Sequence, residues 1–197
     1  LIPMDEDTQK DHLKAYGIAF WTLENDLTVD WLLNYRGGSF LIENQTEIEK
    51  ECIVRGVSYE IITNAYKQQL QIELANPESN TDIIKLEKAP KVAVYSPEGN
   101  LPWDDAVTMV LTYSEIPYDI IYDQEILSDL LPMYDWIHLH HEDFTGQYGK
   151  FYASFKNAPW YIEQKRKFEA EANKLGYSKV SSQKLEVALK IKEFLAG

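Results

Sequence analysis

VAVYSPEGNLPWDDAVTMVLTYSEIPYDIIYD, residues 92–123, decides the fold. It reads as an apolar strand, Lys91 to Tyr95, and a polar loop with Pro97. An amphipathic helix from Pro102 to about Ser114 follows, then a second strand, Tyr118 to Tyr122. A strand, helix, strand order is a βαβ unit, and such a crossover joins parallel strands. The same order recurs at the start of the chain, in LIPMDEDTQKDHLKAYGIAFWTLENDLTVDWLLNY, residues 1–35. The closing strands match: Leu27-Thr28-Val29-Asp30-Trp31-Leu32-Leu33 against Ile116-Pro117-Tyr118-Asp119-Ile120-Ile121-Tyr122. A parallel sheet gathers its ligand-facing loops at one edge, and function is sought there.

Outward from these copies, the first strand is Leu1 to Met4. Asp5 or Thr8 caps a helix to about Glu24, whose Leu13, Tyr16, Phe20 and Leu23 recur at helical spacing. Val29 to Tyr35 is a strand, Arg36-Gly37-Gly38 a turn, and Gln45 to Arg55 a helix stopped by Gly56. Val57 to Thr63 reads as a third strand, Asn64 to Ala75 as a helix, and Pro77 to Lys88 as a polar connection. After the second copy come a short helix, Gln124 to Leu131, and a sixth strand, Asp135 to His140. Helices near Gln147 to Ser154, Pro159 to Leu175 and Ser181 to Leu195 complete the chain. Six strands alternating with helices predict an α/β fold: a doubly wound, mostly parallel sheet in three layers with extra C-terminal helices. The expected organisation is one domain, 1–197, of two halves (about 1–76 and 90–197) sharing a sheet.

Composition narrows the classes. With 45% hydrophobic and 13% aromatic residues in 197, the chain can bury a full core. No apolar run approaches the roughly 20 residues of a membrane span. Thirty-two acidic against 19 basic residues leave a net charge of −13, which opposes nucleic-acid phosphates and anionic membrane surfaces alike. The one cysteine, Cys52, forms no internal disulfide and reads as a buried mid-helix thiol. No signal peptide is visible. A start at Leu1 without Met, and an end after a helix, lead us to expect a processed N-terminus and a C-terminal half that continues past Gly197.

Four strand-end loops are expected to meet: Pro3 to Asp7, Tyr35 to Ser39, Ser96 to Asp105, and His138 to Asp143. In an extended segment His138 and His140 share one face and His141 takes the other. Three readings stay open for them. His138, His140 and Glu142 have the donor types of a divalent metal site, with Asp143 a further donor. His140 or His141, beside Glu142, can serve as a catalytic acid or base. All can instead hydrogen-bond locally and organise the turn. Arg36 before two glycines either presents a guanidinium to a carboxylate or phosphate, with Gly37 allowing close approach, or pairs with an acid across a tight turn. Asp5, Arg36, Gly37, Ser96, His140 and His141 are the ligand-binding candidates. Asp104 and Asp105 read as helix N-terminal charges, and Trp103, Trp136 and Trp160 as packing residues. No Gly-x-Ser-x-Gly elbow, P-loop or dinucleotide fingerprint is present, and no organic cofactor is expected.

Four segments carry a resemblance. They are His12-Leu13-Lys14-Ala15-Tyr16-Gly17, Trp31-Leu32-Leu33-Asn34-Tyr35-Arg36-Gly37-Gly38-Ser39-Phe40, Pro102-Trp103-Asp104-Asp105-Ala106-Val107 and His140-His141-Glu142-Asp143-Phe144-Thr145-Gly146-Gln147-Tyr148-Gly149. Together they resemble a family of exported bacterial proteins commonly labelled asparagine synthetase B. The resemblance spans the chain and implies an extracytoplasmic location. It implies a layout similar to flavodoxin-like folds and to class I glutamine amidotransferase-like domains. The chemistry of the label does not transfer. A glutamine-dependent synthetase needs an N-terminal cysteine, where Leu1 stands, and a Ser-Gly-Gly-x-Asp-Ser loop. Gly37-Gly38-Ser39-Phe40 lacks that aspartate. The leading expectation is a domain that binds a small polar molecule at the strand C-terminal edge, with no asparagine synthetase activity. Its rivals are a hydrolase or amidotransferase-like enzyme using the His138 to Asp143 segment, with or without a metal, and a structural or interaction protein.

Overall fold

A computed structural model describes residues 1–76, 78–97, 105–139 and 154–197. Among these residues the chain is a mixed α/β protein with seven α-helices and two three-stranded sheets. It divides into two compact units. The first takes Leu1–Ala89 and Ala106–Pro117, the second Pro90–Asp105 and Tyr118–Gly197. The residues up to Ala89 close the first unit, and the helix after Asp105 is assigned to it.

The first unit is antiparallel, which overturns the reading of the N-terminal copy as βαβ. Helix α1 (His12–Glu24) is capped by Asp11, whose side chain accepts from the Lys14 N–H at 3.0 Å. Asp5 and Thr8 instead close a turn before it, Thr8 N–H donating to the Asp5 carboxylate at 3.1 Å. Strand β1 (Val29–Leu33) then turns back directly into β2 (Ser39–Ile42), with Leu32 opposite Ser39 and Trp31 opposite Phe40. Asn34, Arg36, Gly37 and Gly38 all have positive φ, and Tyr35 and Arg36 carbonyls accept from the Ser39 hydroxyl. The Gly-Gly turn therefore makes a hairpin, where a crossover was expected. On its other side β1 pairs antiparallel with β3 (Asp82–Leu86), which lies inside the expected polar connection. Ile2 forms only an isolated bridge to Phe40, and residues 57–63 form no strand. Helices α2 (Thr46–Arg55), α3 (Asn64–Leu74) and α4 (Ala106–Ser114) complete the unit. Its cores gather Ile18, Val29, Phe40 and Cys52 in one cluster and Leu32, Leu41 and Leu70 in another.

The second unit fulfils the parallel expectation. Its strands are β4 (Val92–Tyr95), β5 (Asp119–Ile121) and β6 (Trp136–Leu139), in the order β5-β4-β6 and all parallel. β4 is buried at every position, as a central strand should be. One sheet face, with Ala93, Tyr95, Ile121 and Ile137, packs with Ile126 of α5 (Asp123–Leu127) and with Val187 and Ile191. Val187 and Ile191 lie on α7 (Val180–Leu195), which follows α6 (Pro159–Lys174). Apolar burial of about 25 cal/mol per Å² drives this closure. No helix of the described residues is long and apolar enough to cross a membrane.

Candidate functional site

The ends of β4, β5 and β6 point the same way, so Ser96 and Pro97, Tyr122 and Asp123, and His138 and Leu139 leave the sheet at one edge. The Ser96 N–H still donates to the Ile121 carbonyl at 3.0 Å, fixing the first step of that exit. The order β5-β4-β6 means that successive connections from β4 and β5 go to opposite sides of β4. Such a switch point is where open α/β sheets present ligand sites.

His138 is the one sequence-stressed histidine of the 138–143 segment that the structure describes, and it gains a partner no spacing announced. Its ring Nε2 lies 2.8 Å from the Asp105 Oδ2, with side chains 22% and 12% exposed. Asp105 thus orients an imidazole rather than only complementing a helix dipole. A ring nitrogen facing a carboxylate at that distance carries its proton, so Nε2–H donates. His138 shares a sheet face with Val94, its cross-strand partner, and with Trp136 two residues earlier. Ile120 lies across from Val94 on the same face. Ile120 is 57% and Trp136 44% exposed. His140, His141, Glu142, Trp103 and Asp104 lie outside the described residues. Among the described residues no three metal-donor side chains gather.

On the opposite sheet face sits a buried polar cluster that sequence reasoning missed. Asp123, just past β5, accepts from the Tyr95 hydroxyl and from Gln183 Nε2, the latter at 2.6 Å. Lys184 Nζ donates to Tyr95 Oη at 2.9 Å, Tyr122 Oη at 2.8 Å and Asp123 Oδ1 at 3.0 Å. The ammonium also lies 4.2 Å from the Tyr122 ring centroid, over a ring stacked on Tyr95 at 5.0 Å. Lys184 and Asp123 are both essentially buried, so each charge relies on the other. Among the described residues the Gln183 Oε1 has no hydrogen-bond partner. No sequence signal short of the fold marks a pair 61 residues apart. Beside this cluster a groove of about 910 Å³ runs along α6 from Pro97 and Tyr122 past Trp160 and Phe168; His138 does not line it. Trp160, expected as packing, is 49% exposed there.

Asp5, Arg36 and Gly37 belong to the first unit, Ser96 and His138 to the second. Arg36 is brought to Asp5, with Nε donating to Oδ2 at 2.8 Å. It also donates from Nη1 to Glu60 Oε1 at 2.8 Å and from Nη2 to Thr8 Oγ1 at 3.2 Å. Both faces of the guanidinium fork are thus met by groups of the protein itself. Hydrogen bonding from Thr8, and then from Arg36, holds the Asp5 carboxyl below its ordinary range against the opposing effect of desolvation. Gly37, at φ +79°, leaves no room for a side chain: a Cβ there would lie 2.3 Å from the Met4 carbonyl oxygen. Its close approach is to the N-terminal segment's own backbone. Burial pushes the Cys52 thiol up to about 11, which removes it as a nucleophile at neutral pH. No family model, curated protein or solved structure matches the chain.

Proposed function

We propose that the second unit binds a small polar molecule at the C-terminal edge of its parallel sheet, with His138, oriented by Asp105, as a ligand-facing group. The observation that carries this reading is the His138–Asp105 pair, 2.8 Å long and partly open to solvent, at the end of β6. A carboxylate that fixes the tautomer of a partly exposed imidazole beside a switch point is an arrangement that suits a ligand-binding histidine. The finer arrangement, a flavodoxin-like doubly wound sheet, belongs to the same proposal and draws support from the central position of β4. So does export from the cytoplasm, which rests on the family resemblance alone. Asparagine synthetase activity has no support, since the single cysteine is a buried thiol with a raised pKa.

The test is chemical-shift mapping on the full chain with a panel of small polar compounds. The expected outcome is perturbation concentrated at the amides of Ser96, Tyr122 and Leu139, weakened in His138→Gln. Perturbation confined to residues of the first unit would remove the reading. The hydrolase alternative is favoured by the same pair, because a carboxylate-oriented imidazole can accept a proton. Turnover of acyl or phosphoryl reporter substrates that disappears in His138→Gln would select it.

A further inference from the structure

The first unit holds a cavity of about 380 Å³ in line with its N-terminal segment. Ile2 and Phe40 exchange both backbone hydrogen bonds, at 2.8 and 3.0 Å, so this segment runs antiparallel along the outer edge of β2. On its other side Leu1 and Glu60 exchange theirs, at 2.9 and 2.8 Å. The segment is thus a strand one bridge wide on each side, set between β2 and the 57–63 stretch. Alternation along β2 fixes what comes next. Phe40 turns its N–H and C=O outward to Ile2, Leu41 turns inward to its partner Asp30 on β1, and Ile42 turns outward again. The outward N–H and C=O of Ile42 have no hydrogen-bond partner among the described residues, and Ile42 lines the cavity. Ile62, two residues past Glu60, lines it too, and its backbone is likewise without a partner among those residues. An edge with unpaired backbone is a template for a further strand.

The lining suits such a strand. Ile48 and Cys52 belong to the core on one face of the sheet, Leu41 and Ile62 to the core on the other. Successive side chains of an extended backbone would meet one apolar wall and then the other. Among the lining side chains the acids Asp30, Glu43, Glu49 and Glu60 stand against Lys67. Asp30 and Glu43 have no hydrogen bond or ion pair from their side chains among the described residues. Their charge favours a cationic partner, as does the net charge of −13.

We propose that this lane binds an extended peptide of apolar residues flanked by lysine or arginine, added as a short strand between Ile42 and Ile62. The peptide backbone donates to the Ile42 carbonyl and accepts from the Ile42 N–H. Its central side chains alternate between the two walls, and its flanking cations meet Asp30 and Glu43. The site is separate from the sheet edge of the second unit, and neither reading depends on the other.

The experiment uses the full chain, amide hydrogen exchange read by NMR, and the capped peptide acetyl-Lys-Val-Ile-Lys-amide. Without peptide the Ile42 amide should exchange as an unpaired one. At about ten times its Kd the peptide should slow that exchange about tenfold, with shifts centred on Ile42 and Ile62. Acetyl-Lys-Pro-Pro-Lys-amide keeps the charges but offers no N–H at its centre, and should not slow it. Acetyl-Glu-Val-Ile-Glu-amide should bind more weakly than the lysine peptide. Ile42→Pro removes an N–H that the β1 ladder does not use, and should abolish the shift at Ile62. Should Ile42→Pro fail to fold, the proline peptide makes the same test on the unaltered chain. An Ile42 amide already protected, no slowing by the lysine peptide, equal slowing by the proline peptide, or tighter binding of the glutamate peptide overturns the inference. Slowing that grows with protein concentration alone would hand the lane to a second copy and overturn it as well. Residues Gly-Ser-Gly-Ser joined ahead of Leu1 should leave the peptide response in place. Its loss there would assign the lane to the chain's own backbone instead of a partner peptide.

Discussion

Lys184 shows what a single side chain does when it is buried with its charge. The ammonium has three oxygen acceptors and two aromatic rings around it. Removing it leaves the Asp123 carboxylate with only the Tyr95 hydroxyl and the Gln183 amide, deep in the unit. An uncompensated buried charge costs about 3–5 kcal/mol, so Lys184→Met should lower the stability read by urea denaturation by that amount. Adding Asp123→Leu should restore part of the loss, because a pair replaced by apolar groups is often near neutral. A loss in Lys184→Met no larger than that of an exposed lysine such as Lys165 would mean the pair carries no net load. The sequence hid this residue for a plain reason: among Ser181, Ser182, Gln183 and Lys184 it reads as one more polar position at a helix start. His138 was legible because a histidine at a strand end is unusual. Its partner was not, because Asp105 fits a helix N-terminus equally well.

At the scale of elements, what could be read was what depends on local pattern. Helices α1, α2 and α3 and strands β4, β5 and β6 follow from periodicity, caps and apolar runs. What failed depends on which segment finds a partner. Val57 to Thr63 is rich in branched residues, yet its backbone is taken up by single bonds, from Val57 to Cys52, between Ser58 and the Gln9 side chain, and between Glu60 and Leu1, and no ladder forms. Asp82–Leu86 sits among polar residues and becomes a strand because β1 offers it five paired positions. Propensity for strands is realised only against a neighbour, so a short strand between polar flanks leaves a weak trace. Helix packing within the first unit carries its own constraint. Gly17 lets α1 meet α4: a Cβ there would lie 1.9 Å from the Ser114 carbonyl oxygen, and backbone cannot step aside as a side chain does. Gly17→Ala should therefore destabilise despite alanine's better helix propensity, by about 1–3 kcal/mol for the overpacking. A rise in the thermal midpoint of Gly17→Ala would show that the two helices separate at little cost.

Across the whole molecule charge sets two opposing responses to acid. The net charge of −13 makes the folded chain repel itself. Added salt should therefore raise stability as the screening length falls from about 30 Å at 0.01 M to about 10 Å at 0.1 M. Protonating carboxylates relieves the same repulsion, so mild acid alone would be expected to stabilise. Particular carboxylates act the other way. Asp5 is held below its ordinary range by Thr8 and Arg36. Glu115 is held down by its hydrogen bond from Lys14 and by Arg55. Asp11 ends low as well: desolvation raises it, but bonds from Tyr113 and the Lys14 N–H prevail. A carboxyl whose folded pKa is depressed adds stability that is complete above its unfolded value, about 4, and that fades as pH falls through the folded value. All three lie in the first unit. Stability measured by urea midpoint should accordingly hold or rise from pH 7 to about 5 and then fall steeply below about 4. Asp5→Asn, which removes one depressed group, should make the fall below pH 4 shallower while leaving the response to salt in place. A stability curve that climbs without a break down to pH 3 would show that self-repulsion outweighs the Arg36, Lys14 and Arg55 pairings, and that the clamp around Asp5 contributes nothing to holding the first unit together.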